Sequence, residues 1–149
     1  MTSRDALGDD ARSDLDALLA AALRVAQQEL AQAETFEPFV LVTGRDGRML
    51  SAEIDRSELD RHPESEEIAR AATGQLAGLA SSVRATALTL NARLSRERSD
   101  AIEVRLDHAD GVSLLVLQQY KRPKFGGRIE YGDAKTFRGA HGVWPQRLS

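Results

Sequence analysis

The residues in this chain with chemistry to offer are three histidines, His62, His108 and His141, and the carboxylates that crowd one of them. Asp107 and Asp110 flank His108, and Asp100 opens the same stretch. A carboxylate beside an imidazole at the end of a sheet can move protons or hold a hard cation. The same residues, Asp107 to Gly111, also have the composition of a reverse turn, in which Asp and Gly serve the backbone, and that reading takes precedence. No two histidines stand at His-x-x-x-His spacing with a helical glutamate, so no metal site is read from the sequence and no cofactor is expected. Ser65, Ser81 and Ser82 lack the strand-turn-helix elbow of a serine nucleophile. The absence of cysteine removes thiolate catalysis, thiolate zinc sites and disulfides together.

Recognition is the better prospect, and the C-terminal segment carries it. Lys121 to Ser149 holds seven Lys/Arg against Glu130 and Asp133, a balance of +5, which leaves −8 on the first 120 residues. Tyr120, Phe125, Tyr131, Phe137, His141 and Trp144 lie among these cations and several glycines, a mixture suited to stacking on rings while meeting an anion. Lys121, Arg122, Lys124, Phe125 and Arg128 are the candidate partner-binding residues. Arg105, His108, Tyr120 and Tyr131 are the polar groups expected around any ligand pocket between the sheet and this segment. The opposing expectation is that the aromatics anchor the segment to the domain and that its charge answers the acidic body. The cations are spaced by glycines rather than clustered, so nucleic acid is not the partner expected.

The elements that position these residues follow from periodicity. Ser13 suits a helix N-cap, and Leu15, Leu18, Leu19, Ala22, Leu23, Ala26 and Leu30 recur at helical spacing, so a helix is predicted from Ser13 after a flexible lead-in over residues 1–12. Phe39 to Thr43 and Met49 to Ile54 read as a hairpin around Asp46-Gly47. A second helix starts near His62-Pro63, with Gly74 and Gly78 expected to permit a close helix crossing. Val83 to Asn91 alternates as a strand, and Arg93 to Arg98 is read as a polar loop. In Ala101 to Asp107, Ile102, Val104 and Leu106 face the core while Glu103, Arg105 and Asp107 face away. Asp110-Gly111 turns the chain into Val112 to Tyr120, apolar on both sides and expected at the sheet centre. Lys121 to Ser149 has no helical period and is expected as an irregular extension, with Ile129 and Tyr131 as the place for a short added strand.

The predicted fold is therefore α+β: a single domain over residues 13–120, with a five-stranded antiparallel sheet in the order α-β-β-α-β-β-β, two helices mainly on one face, and residues 121–149 packed on it. At 149 residues and 42% hydrophobic, the chain suffices for one real core. No apolar run reaches the ~18 residues of a membrane span, and Met1 to Asp10 lacks a signal peptide's apolar centre, so a cytoplasmic protein with no membrane partner is expected.

Two resemblances add to this reading. The element order is similar to that of profilin-like and roadblock-type modules, which are mainly dimerising platforms. Glu37-Pro38-Phe39-Val40 with Asp46-Gly47, the run Ser99-Asp100-Ala101-Ile102-Glu103-Val104-Arg105-Leu106-Asp107-His108, and Tyr131-Gly132 resemble a group of small actinobacterial and other bacterial proteins of no assigned function. Neither implies an activity, cofactor or site residue. The function expected is a non-enzymatic protein-interaction module that self-associates; the alternative is a small enzyme or ligand-binding protein with a pocket between the sheet and the C-terminal segment.

Overall fold

The first helix sets the frame, because its apolar stripe starts earlier than its cap residues suggest. In the computed structural model, which describes residues 3–94 and 99–144, α1 runs Ser3–Leu30, ten residues ahead of the expected start at Ser13. Ala11 lies one turn before Leu15 on the same stripe and is buried, so the helix continues through Ser13 and Asp14 instead of beginning there. The expected lead-in over residues 1–12 is thus helical from Ser3.

Six strands follow, β1 (Phe39–Gly44), β2 (Met49–Ala52), β3 (Val83–Leu94), β4 (Ser99–His108), β5 (Ser113–Lys121) and β6 (Glu130–Arg138), with α2 (Ser65–Gly78) between β2 and β3. They form one antiparallel sheet in the order β2-β1-β3-β4-β5-β6. The two predicted Asp-Gly turns are present, with Gly47 at φ 86° and Gly111 at φ 96°, a region glycine enters without steric cost. Of the expected polar loop Arg93 to Arg98, Arg93 and Leu94 extend β3 and residues 95–98 lie outside the described residues.

The helices cover opposite faces, not one. Leu15, Leu18, Ala22, Ala26 and Leu30 of α1 pack on Ala85, Ala87, Ile102, Val104, Leu106 and Val116. Ala69, Ala72 and Leu76 of α2 pack on Val40, Val42, Leu88 and Leu90. Successive residues of a strand point to opposite faces, and from Ala85 onward β3 supplies Ala85 and Ala87 to one cluster and Leu88 and Leu90 to the other. The small side chains of Ala85 and Ala87 leave room for α1 against β3.

Three further expectations are corrected. The sheet centre is β3 and β4, while β5 lies one strand in from the edge. The sheet has six strands rather than five, because part of the C-terminal segment forms β6. β6 is exposed along almost its whole length, so no apolar alternation announced it; it is held by its pairing with β5. Gly132 and Asp133 together stand opposite Gln119, where the register shifts by one residue as at a β-bulge. Gly74 and Gly78 make no close crossing: a Cβ at either would meet nothing within 4 Å.

Two substitutions test this packing by urea denaturation. Gly74→Ala fills open space in the interior of α2 and should stabilise by about 1 kcal/mol. Leu18→Ala empties a fully buried position between α1 and the sheet and should cost about 3 kcal/mol.

Candidate functional site

The alternation of β4 sends Glu103, Arg105 and Asp107 to the face away from α1, where Arg105 meets α2. Arg105 is held between two carboxylates. Its Nε donates to Glu103 Oε2 at 2.6 Å, and its Nη2 donates to both Oε1 and Oε2 of Glu66 on α2 at 3.0 Å. Burial of the guanidinium opposes its charge, but the two carboxylates outweigh this and hold its pKa above the ordinary value. The pairing ties α2 to the sheet and props one wall of a cleft of about 670 Å³.

The opposite wall is the chain that leaves β6. Gly139 N–H donates to Ser113 O at 2.9 Å, and His141 N–H donates to Ser113 Oγ at 3.0 Å. The approach is close enough to require glycine: a Cβ on residue 139 would fall 2.2 Å from Ser113 Oγ and 2.8 Å from Leu114 N. A Cβ on Gly142 would fall 2.7 Å from Thr73 Cγ2 of α2. His141, between them, adopts φ 55°, and Val143 is buried in the α2-side core with Trp144 packed against it. Residues 139–144 therefore form a strap from the end of β6, over the start of β5, to α2.

Asp107 lies at the floor of this cleft, across the ladder from Thr86 and Ser113, and is 7% exposed. Burial raises the pKa of its carboxyl, only partly offset by a hydrogen bond with the Ser113 side chain and by His141. Its Oδ1 is shielded from solvent and has no hydrogen-bond partner among the described residues, and the same holds for His141 Nδ1. At the rim, Arg70 and Arg138 line the cleft, and neither enters an ion pair among the described residues. The remaining lining is largely apolar, with Leu76, Leu88, Leu115 and Val143.

Of the four residues expected around a pocket, only Arg105 reaches the cleft. His108 points to the α1 face and is buried. Asp110 N–H donates to His108 Nδ1 at 3.1 Å, so Nε2 carries the proton and donates to Asp14 Oδ2 at 2.9 Å. Asp14 Oδ1 accepts from Arg84 Nη2 at 2.8 Å. Arg84 is the extra residue at the register shift between β1 and β3, which places it on the α1 side. The cluster fastens α1 to the ends of β3 and β4. Burial works against the Asp14 charge, yet bonds from Arg84 and His108 prevail and lower its pKa.

Tyr120 is a core anchor on that same face, its hydroxyl donating to Asn91 Oδ1 at 2.8 Å, and Tyr131 packs on it with ring centroids 6.0 Å apart. Of the proposed partner-binding residues, Arg122 is engaged at the end of α1, donating to Leu30 O and Ala33 O. Lys121, Lys124, Phe125 and Arg128 are exposed. Arg122, Arg128 and Tyr131 border an open groove beside α1 together with Arg24 and Gln27. Among the described residues no three His, Asp or Glu side chains converge to hold a metal ion, and no helix is long and apolar enough to cross a membrane.

The sequence reading missed Ser113 and His141 as neighbours of Asp107. The signal was the glycine pair Gly139 and Gly142 around a histidine, which marks a close backbone approach only once its partner strand is known.

Asp107 and Asp14 should give opposite pH dependences in urea denaturation. Asp107 has a raised folded pKa, so its ionisation penalises the fold as pH rises through the ordinary carboxylate range to that value. Asp107→Asn should therefore stabilise the chain near neutral pH, with the gain fading in acid. Asp14 has a depressed folded pKa, so its contribution is present above the ordinary carboxylate range and lost as pH falls through the folded value. Asp14→Asn should destabilise near neutral pH and converge on the parent in acid.

No family model matches this chain, and no curated protein and no solved structure is detectably similar to it.

Proposed function

We propose that the chain is a small-ligand-binding protein whose ligand occupies the cleft between the sheet, α2 and the strap of residues 139–144. The observation that carries this reading is Asp107: a carboxyl more than nine-tenths buried at the floor of a cleft of ligand size, with one oxygen left without a partner among the described residues. Leaving a buried acceptor unsatisfied costs about 1–3 kcal/mol, and a ligand that supplies the missing bond recovers it. Perturbed carboxyls in clefts also mark functional sites more often than plain core positions.

The self-association expected from the sequence finds less support in the sheet edges. β2 is only four residues long, and β6 carries a bulge at Gly132-Asp133 together with Glu130, Asp133, Lys135 and Arg138. Short, bulged and charged edges discourage pairing with another strand.

A thermal-shift screen of small organic molecules tests the cleft. A ligand at 100 times its Kd should stabilise the fold by about 2.7 kcal/mol, read as a rise in Tm. Leu115→Trp, at a half-buried lining position, should fill the cleft and abolish the shift. A shift unchanged in Leu115→Trp, or no shift with any compound, overturns the reading.

A further inference from the structure

We propose that the groove between α1 and the chain entering β6 binds an extended acidic peptide, with carboxylates at Arg24 and at the Arg122 end and an apolar side chain on Leu23 and Ile129 between them. The groove lies on the α1 side of the sheet, away from the cleft beside α2, and does not depend on that cleft. Both of its walls are fixed. Gln27 of α1 donates to Gln118 of β5 at 3.0 Å, Arg122 donates to Leu30 O and Ala33 O at the end of α1, and Ile129 and Tyr131 pack against the α1-side core. About 750 Å³ remains open between the walls.

Charge decides the sign of the occupant. Arg24, Arg122 and Arg128 line the groove, and no Asp or Glu does. Arg24 and Arg128 are exposed, with neither an ion pair nor a side-chain hydrogen bond among the described residues. Arg122 is held by two backbone carbonyls, which fix its guanidinium without cancelling its charge. Glu34 and Asp100 share a separate hollow with Arg122 and form no ion pair with it. A guanidinium left with its charge unanswered is matched by a carboxylate, which it can bind through two parallel bonds.

Shape makes the occupant a chain rather than a compact ion. α1 lines the groove from Ala20 to Leu30, ten steps of helix that extend about 15 Å. The six steps from Arg24 to Leu30, where Arg122 is anchored, take up about 9 Å of it. Acidic residues four apart on one side of an extended chain span about 13 Å, and the arginine side chains take up the difference. The residue midway between them is on the same side and faces Leu23 and Ile129. Beside the groove stands Phe125, 98% exposed on a loop turned by Gly126 at φ 81° and Gly127 at φ 110°. An aromatic ring held in water next to a basic groove is contact area for a macromolecular partner, beyond the reach of a small anion.

The probe is fluorescein-labelled, amidated Gly-Ser-Glu-Ser-Leu-Ser-Glu-Ser-Gly, titrated with the full chain and read by fluorescence anisotropy. The same peptide with both glutamates replaced by glutamine should bind roughly tenfold more weakly, and added salt should weaken only the acidic peptide. Arg24→Gln should weaken the acidic peptide about fivefold, the size of one charged contact that stays partly in water, and leave the glutamine peptide unchanged. Arg24 makes no bond among the described residues, so the urea midpoint of this variant should stay at the parent value, which separates lost binding from a lost fold. Leu115→Trp, placed in the cleft on the other face, should leave peptide binding unchanged. No binding of the acidic peptide, equal binding of the glutamine peptide, or an affinity unchanged in Arg24→Gln overturns the proposal. Loss of peptide binding in Leu115→Trp also overturns it, by moving the contact to the cleft. A dimer seen by light scattering and dissociated by Arg24→Gln overturns it as well, because a second copy of the chain then fills the groove.

Discussion

The structure depends on one constraint, the burial of β3 on both faces. Ala85 and Ala87 lie under α1, and Leu88 and Leu90 lie under α2, so the strand cannot shift by one residue without exchanging the contents of the two cores. Its small side lets α1 approach, and its large side fills the shallower layer beneath the shorter α2. The neighbouring strand β4 inherits this arrangement through its register with β3, and its own alternation then determines what lies on each face. On the α1 side it presents Ile102, Val104 and Leu106. On the α2 side it presents Glu103, Arg105 and Asp107, the polar row that would face solvent in a two-layer protein.

Covering that polar row is what makes a site. α2 reaches only part of it, meeting Arg105 through Glu66, and the strap from Gly139 to Trp144 closes over the rest. The covering is incomplete, so a cleft remains, and Asp107 lies under it with a raised pKa and an oxygen without a partner among the described residues. A carboxylate on the open face of a sheet would be solvated and ordinary. The same residue beneath a strap is desolvated, and that difference creates its chemistry. The half-buried carboxyl of Asp14 shows the alternative outcome: its bonds from Arg84 and His108 outweigh its burial, lower its pKa and make it a fastening between helix and sheet.

The basic C-terminal segment divides into parts with different work. Arg122 is consumed at the end of α1, Tyr131 covers Tyr120, residues 130–138 add a strand, and residues 139–144 wall the cleft. The expectation that its aromatics anchor the segment describes Tyr131 and Trp144, whereas Phe125 stands in solvent at 98% exposure. Its cations are correspondingly split between the α1 groove, which Arg122 and Arg128 border, and the mouth of the cleft, which Arg138 borders.

Local pattern was sufficient for the apolar stripe of α1, the two Asp-Gly hairpins, the alternation of β4 and the α+β class, because each depends on residues within one turn or one strand of each other. The sequence also showed, without a partner, that Glu103, Arg105 and Asp107 share a face. What only the tertiary structure decided was which helix covers which face, the pairing of an exposed β6 with β5, and the closing of the strap that leaves β6 over Asp107 and Ser113. Those depend on contacts between residues far apart in the chain and on backbone pairing that leaves no mark in side-chain type. Period-two alternation separates the two faces of a strand; it does not say which one the rest of the chain will cover.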